Sequence, residues 1–535
     1  MKPEPYTKKR TKLATEHRKT QSVRHSFLDD TIKDRMRKNS VWNMMFFVLT
    51  FPLMFVITPM ILKTVGAEAY GVWALTGTIL VFIELFGAVQ TPSALSVLVP
   101  SYDAKKDSRD INELVNTMFF FFAATAAVMA AAYFLLEPVI ISAFFKVSPE
   151  MTGTVKFVLG FSVYAFLINF VMMGFGYLLG GFNVFYILSI MHTVAAYVRF
   201  TLMAVALLAG YGIKGVVAAQ MGVLLVESAV TLFYAKAVYP PLKFGIGYFS
   251  AEKLKKLLSL SLKLFMTRAA SLVNQNIDKL SLGFFLNPVM AAFYQIGASV
   301  SKYITQVPEM MGLYSLMPAV SELKTRGMTE KIGIMFRKTN KYMFFIALPL
   351  MAGIMALGGE FIFLWLGAGY ENAYLVMVVL AAGYTTGLLG HVPMNVLNGM
   401  QKMKETMAIS GFSALLNIAL SVILTWKLGL KGALAGTTVS ITVSAVMFYT
   451  AYRKIMGHGM DISSAILKPL LSCALAAAAV YMAARAGFYG TWPALLAKSA
   501  LFAALYLGTS IWVLRHFDAY DIELVSGYFR KGKKP

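Results

Sequence analysis

The sequence predicts an all-α polytopic membrane protein of about 14 transmembrane helices, built as two six-helix lobes related by an internal repeat plus a C-terminal helix pair. Three observations carry that expectation. Of 535 residues, 58% are hydrophobic and 14% are charged, and the mean hydropathy is +0.65; a soluble domain carries roughly 25% charged residues to cover its surface. Apolar stretches of about 20 residues, the length that crosses a ~30 Å hydrocarbon core, recur along the chain. Short segments also repeat at a nearly constant offset, the signature of a duplicated unit.

In order, the spans start near Trp42, Tyr70, Val115, Val155, Val184 and Ile213 in one lobe. They start near Leu262, Val289, Tyr342, Ala373, Met407 and Leu430 in the other, and near Ile466 and Leu495 in the final pair. The expected organisation is a basic cytoplasmic tail (1–39), an N-terminal six-helix lobe (40–238), a cytoplasmic linker (239–257) and a C-terminal six-helix lobe (258–454). Two extra helices and a cytoplasmic tail complete it (455–535). The repeat rests on Gly212-Ile213-Lys214-Gly215 and Gly429-Leu430-Lys431-Gly432, 217 residues apart. At similar offsets Gly181 matches Gly399, and the turn Gly66 to Leu75 matches Asn287 to Ile296, with Trp73 on Tyr294. Lobes of equal topology are related by an axis along the membrane normal, which puts a binding site between them near the midplane.

The 49 Lys and Arg against 26 Asp and Glu give a net charge of +23. Sorted by the expected spans, 37 of these cations fall on one side, eight on the other and four within spans. That bias places both termini in the cytoplasm, so the charge is a topology signal and no nucleic-acid partner is expected. Residues 1–39 hold 12 basic and five acidic residues and no apolar signal-peptide core; they are expected to lie near anionic lipid heads. The single cysteine, Cys473, leaves no intrachain disulfide or paired-cysteine metal site. No GxxxxGK[ST], HExxH or GxSxG motif occurs. The expectation is transport, with no metal, no cofactor and no enzymatic activity.

Ionisable groups inside spans are costly and mark function by default. Arg268, Ser271, Gln275 and Asp278 fall on one face of the seventh span, with Lys279 beside them. The eighth span carries Gln295, Ser299, Lys302, Gln306 and Glu309, after an Asn287-Pro288 turn. The expected site is a hydrated cavity in which Arg268, Lys279 and Lys302, with Gln275, Gln306 and Ser299, hold an anionic group such as a phosphate. Asp278, Glu309 and the lone Glu84 of the second span are candidates for coupling to H+ or Na+. The bland alternative is interhelical ion pairing that only locks the lobe. Arg199 and Glu227 are expected as a structural pair, and His192 and His391 as packing residues.

Residues 58–73, Thr-Pro-Met-Ile-Leu-Lys-Thr-Val-Gly-Ala-Glu-Ala-Tyr-Gly-Val-Trp, resemble the entry motif of polysaccharide and O-antigen flippases of the multidrug/oligosaccharidyl-lipid/polysaccharide exporter superfamily. Asp278, Asn287-Pro288 and Tyr294 are similar to that family's seventh and eighth helices. Glu360 to Gly367, with Tyr370 and Ala373, is similar to its segment between helices nine and ten. The resemblance covers roughly residues 40–455. It implies a multi-pass protein of the bacterial cytoplasmic membrane that moves an undecaprenyl-pyrophosphate-linked oligosaccharide by alternating access. Membrane lipids, a polysaccharide polymerase and a chain-length regulator are the partners it implies, and Arg268 and Lys302 its cationic cavity residues. Two other readings compete: a multidrug or cation antiporter on the same fold, and a non-transporting envelope-assembly scaffold.

Overall fold

The structure, a computed structural model, describes residues 45, 49–85, 95, 98–100, 102, 108–182, 184–310, 314–487 and 489–517, without the side chains of 185, 260–264, 266–268, 314 and 315. The expected basic tail of residues 1–39 lies outside the described residues. Among the described residues the chain is helical with no strand, and 11 helices are long and apolar enough to cross a membrane.

Helical turns run without interruption through α1 (Leu49–Leu85). Gly66, at φ +79°, sits in a left-handed conformation that a right-handed helix cannot pass through straight. Thr58 and Tyr70 hydrogen-bond to each other, whereas 12 residues of straight helix would separate them by roughly 18 Å. The chain therefore folds back at Gly66, so α1 covers the first two expected spans with no loop between them. α2 (Ser108–Phe144), α3 (Pro149–Gly181), α4 (Phe185–Leu208) and α5 (Gly212–Val238) complete the first lobe. A linker with one 3-10 turn, Ile246–Tyr248, leads to α6 (Ala251–Phe285), which begins inside the expected linker.

The second lobe starts with α6. Its N-cap is Ser250, whose side chain accepts from the Lys253 amide. Asn287 caps α7 (Pro288–Ser301) in the same way at 3.1 Å, with Pro288 supplying a preset helical φ at the first position. The expected eighth span is α7 continued as α8 (Tyr303–Pro308) past Lys302, whose φ −58° and ψ −22° stay helical and whose amide still bonds the Ala298 carbonyl at 3.1 Å. Neither α6 nor these two helices are among the 11, α6 because polar residues interrupt it and α7 and α8 because each is shorter than a span. Then come α9 (Tyr314–Thr325), α10 (Thr329–Leu366), α11 (Glu371–Gly399), α12 (Met403–Leu428) and α13 (Leu430–Met456). The last pair, α14 (Lys468–Arg485) and α15 (Trp492–Gly508), packs on α10.

The repeat is visible in repeated contacts. Gly212 and Gly429 adopt the same left-handed corner, φ +58° and +61°. A Cβ on Gly181 would lie 2.7 Å from Val99 Cβ, and one on Gly399 2.8 Å from Val320 Cβ. Trp73 donates to Gln220 at 2.7 Å; the matched Tyr294 meets Thr437, 217 residues beyond Gln220, where both hydroxyls donate to Asp278.

The lobes join at one end. The core of the first lobe continues into Phe293, Ile296, Trp365 and Ala373 of the second. Trp365 donates its indole N–H to the Phe55 carbonyl at 2.7 Å, and Phe144 packs edge-on against Phe284. The matched turns of the repeat meet here, so closely that a Cβ on Gly71 would sit 1.9 Å from the Pro288 carbonyl oxygen. At the opposite end the linker is bolted to α2. Asn112 and Asn116, one turn apart, each accept from one linker amide and donate to one linker carbonyl. Lys253 pairs with Asp110. Burial opposes its ammonium, but hydrogen bonds with Asp110 and Tyr102 outweigh this and raise its pKa above the ordinary lysine value.

Candidate functional site

Between the closed end and the linker end lies a polar cavity of about 900 Å³. Among the described residues its walls come from α6, α7, α8, α9, α11, α12 and α13, all in the second lobe. Among the described residues, none of the first lobe lines it, whereas the repeat alone suggests a site between the lobes.

Of the expected site residues, Ser271, Gln275, Lys279, Gln295, Ser299, Lys302, Gln306 and Glu309 line this one cavity. Gln275 donates to the Ser271 hydroxyl at 2.9 Å. Lys279 donates to Gln295 at 3.1 Å, which fixes its ammonium at the deep end. Lys302 stands between α7 and α8, 5.6 Å from the Tyr303 ring centre. Among the described residues no carboxylate lies within salt-bridge distance of either ammonium, and the two repel each other. Ser299 lines the wall, but its hydroxyl is spent on the Ile296 carbonyl at 2.7 Å. Arg268 belongs to α6, and its side chain lies outside the described residues.

The expected stripe does not hold at Asp278, which is fully buried and absent from the cavity wall. There α12 and α13 close over α6. Ser421 and Thr437 donate hydroxyls to the two carboxylate oxygens, and Tyr294 adds a third. Asn417 Oδ1 lies 2.7 Å from the same Ser421 hydroxyl and shares its single proton, extending the cluster. Glu84 ends α1, also outside the wall. In the first lobe, Arg199 donates to Glu227 at 3.2 Å, and His192 reaches the same carboxylate.

Residues 36–324, more than half of the chain, match the model of a family described as polysaccharide biosynthesis protein. The chain belongs to that family. The membrane protein EpsK of Bacillus subtilis (strain 168), itself uncharacterized, is 25% identical over 92% of this chain and 97% of its own length. Among solved structures, the lipid II flippase MurJ in an inward closed conformation superposes with a TM-score of 0.68. It is 16% identical, over 88% of this chain and 99% of that one. An inward-facing multidrug resistance MATE family transporter of the MOP superfamily gives 0.63 at 13% identity, over 76% and 94%. These superpositions speak to the fold.

The structure also brings in residues that sequence reasoning passes over. His391, expected as packing, lines the cavity and pairs with Glu309 at 2.8 Å. Pro393, two residues on, was the available signal for a disturbed helix there. Asn417, Ser421 and Thr437 lie within apolar spans, where isolated hydroxyls and amides are common enough to draw no notice. The signal for the first two was their spacing of four residues, which puts both on one helical face.

Proposed function

We propose that this protein is a flippase that moves an undecaprenyl-pyrophosphate-linked oligosaccharide, an O-antigen, capsule or exopolysaccharide unit, across the cytoplasmic membrane. The observation that carries the reading is the pair of ammoniums, Lys279 and Lys302, facing one large cavity with no carboxylate partner among the described residues. Cations held this way are suited to a diphosphate, which supplies the missing charge. Membership of the polysaccharide biosynthesis protein family supports a lipid-linked sugar over a drug cation, and the MurJ-like fold supports alternating access. Gln275, Gln306 and Ser299 frame the same space, and Arg268 joins them by its place two turns before Gln275 on α6.

In this reading the cavity opens to the cytoplasm, where the charge bias also puts both termini, and the closed end faces outward. Asp278 is the residue that couples transport to an H+ or Na+ gradient, with Glu84 and Glu309 as further candidates. A polymerase and a chain-length regulator receive the product, and no bond is made or broken. The test is reconstitution of the full chain in proteoliposomes with a defined lipid-linked glycan. Lys279→Gln with Lys302→Gln is expected to lower translocation about a hundredfold or more, from two charged hydrogen bonds of ~1.5 kcal/mol each. Normal translocation by the double variant, at normal abundance in the bilayer, would overturn the reading.

A further inference from the structure

The cavity is chemically graded along its length. Lys279 and Gln295 mark the deep end, Lys302 follows, and Glu309 stands roughly 20 Å beyond Gln295 at the helical rise, toward the linker end. Glu309 is the one acidic side chain among the described residues of the wall. Its Oε1 is held by His391 Nδ1 at 2.8 Å, with the two side chains 29% and 31% exposed. Oε2 has no donor among the described residues, so it keeps its acceptor capacity toward the cavity. Gln306 and Asn395 stand beside it. Asn395 donates to the His391 carbonyl at 2.9 Å, leaving its own oxygen as an acceptor.

The place of a bound substrate follows from solvation, granted the flippase reading with the diphosphate on Lys279 and Lys302. The polyprenyl tail must leave sideways into hydrocarbon, because a wet polar mouth would expose it to water. The glycan then extends from the diphosphate toward Glu309, His391 and Asn395. A carboxylate that is partly desolvated and already fixed accepts sugar hydroxyls or an amino-sugar ammonium. It repels another carboxylate, a juxtaposition that costs several kcal/mol.

We propose that Glu309, positioned by His391, is the specificity-determining contact for the glycan, admitting neutral or amino sugars next to the diphosphate and rejecting uronic acids there. This rests on the flippase reading and adds to it the class of sugar.

The experiment compares two polyprenyl-diphosphate glycans of equal length, one neutral and one with a uronic acid in the first units, in proteoliposomes of the full chain. The wild type is expected to move the neutral glycan at least about tenfold faster. Glu309→Gln brings the ratio close to one, and Glu309→Asp retains most of it. His391→Ala lowers the ratio, because the carboxylate stays but is no longer aimed. A wild-type ratio near one, or a wild-type ratio in Glu309→Gln, overturns the assignment. Competition by sugar-free farnesyl diphosphate tests the diphosphate clamp by itself. Lack of competition sinks the clamp whatever the sugar ratio, and movement of neither glycan overturns the flippase reading together with this one.

Discussion

Asp278 and Lys279 are consecutive residues of α6 with opposite surroundings. One successive step rotates a helix by about 100°, which is enough to send Lys279 into the cavity and Asp278 under α12 and α13. The position 221 residues before Asp278, by the offset that pairs Trp73 with Tyr294, is Ile57. The duplicated contact between the aromatic residue and the last helix thus exists in both lobes, while the carboxylate exists in one. The two carboxylate oxygens take three hydroxyl donors, a pattern that only acceptor oxygens can satisfy. Asp278→Asn would turn an N–H group toward some of these donors. In the proposed flippase this variant is expected to lose at least tenfold of its gradient-driven translocation, since hydrogen bonds to a charged group contribute about 1.5–3 kcal/mol each. Equal stimulation by an imposed ion gradient in variant and wild type would remove Asp278 from coupling.

At the scale of elements, two close contacts decide how pieces stay together. Gly71 meets the Pro288 carbonyl, where a Cβ has no room. Gly71→Ala forces the closed end apart, at about 1–3 kcal/mol of overpacking. The outer ends of α1 and α10 are then expected to separate in spin-label distance measurements, and an unchanged distance distribution would refute the wedge. The C-terminal pair is tied on differently, by Lys498 of α15 to Glu360 of α10, with side chains only 3% and 4% exposed. The Gly490 amide adds a bond of 2.9 Å to the same carboxylate. Lys498→Ala strands a buried charge and should cost about 3–5 kcal/mol, whereas replacing both residues by Met should be close to neutral. Thermal unfolding of the purified protein separates these outcomes, and a single variant as stable as the wild type would contradict them.

Across the whole molecule, helix identity and the repeat were readable because bilayer helices must be apolar over a fixed length and because the glycine corners recur. What stayed hidden has physical reasons. A turn is expected from Gly66 to Leu75, yet no composition rule says that helical turns continue right through that segment. The polar stripes of α6 and α7 were visible as spacing, and most of their members do line the cavity. Asp278 was misplaced because the helix that covers it, α12, lies over a hundred residues away in sequence. The asparagine bolts at Asn112 and Asn116 fix the linker and the start of α6 to the first lobe, while Asp278 ties the same helix to the second. One feature of the closed end also reaches into calorimetry. Phe361 stacks on Trp365 there and Phe55 packs against both, in a single core shared by both lobes. Opening that end to water exposes apolar surface, and such exposure raises heat capacity. In a fluid bilayer of fixed composition the apparent activation enthalpy of translocation should therefore climb as temperature rises. A straight Eyring plot would mean that the separating surfaces are polar.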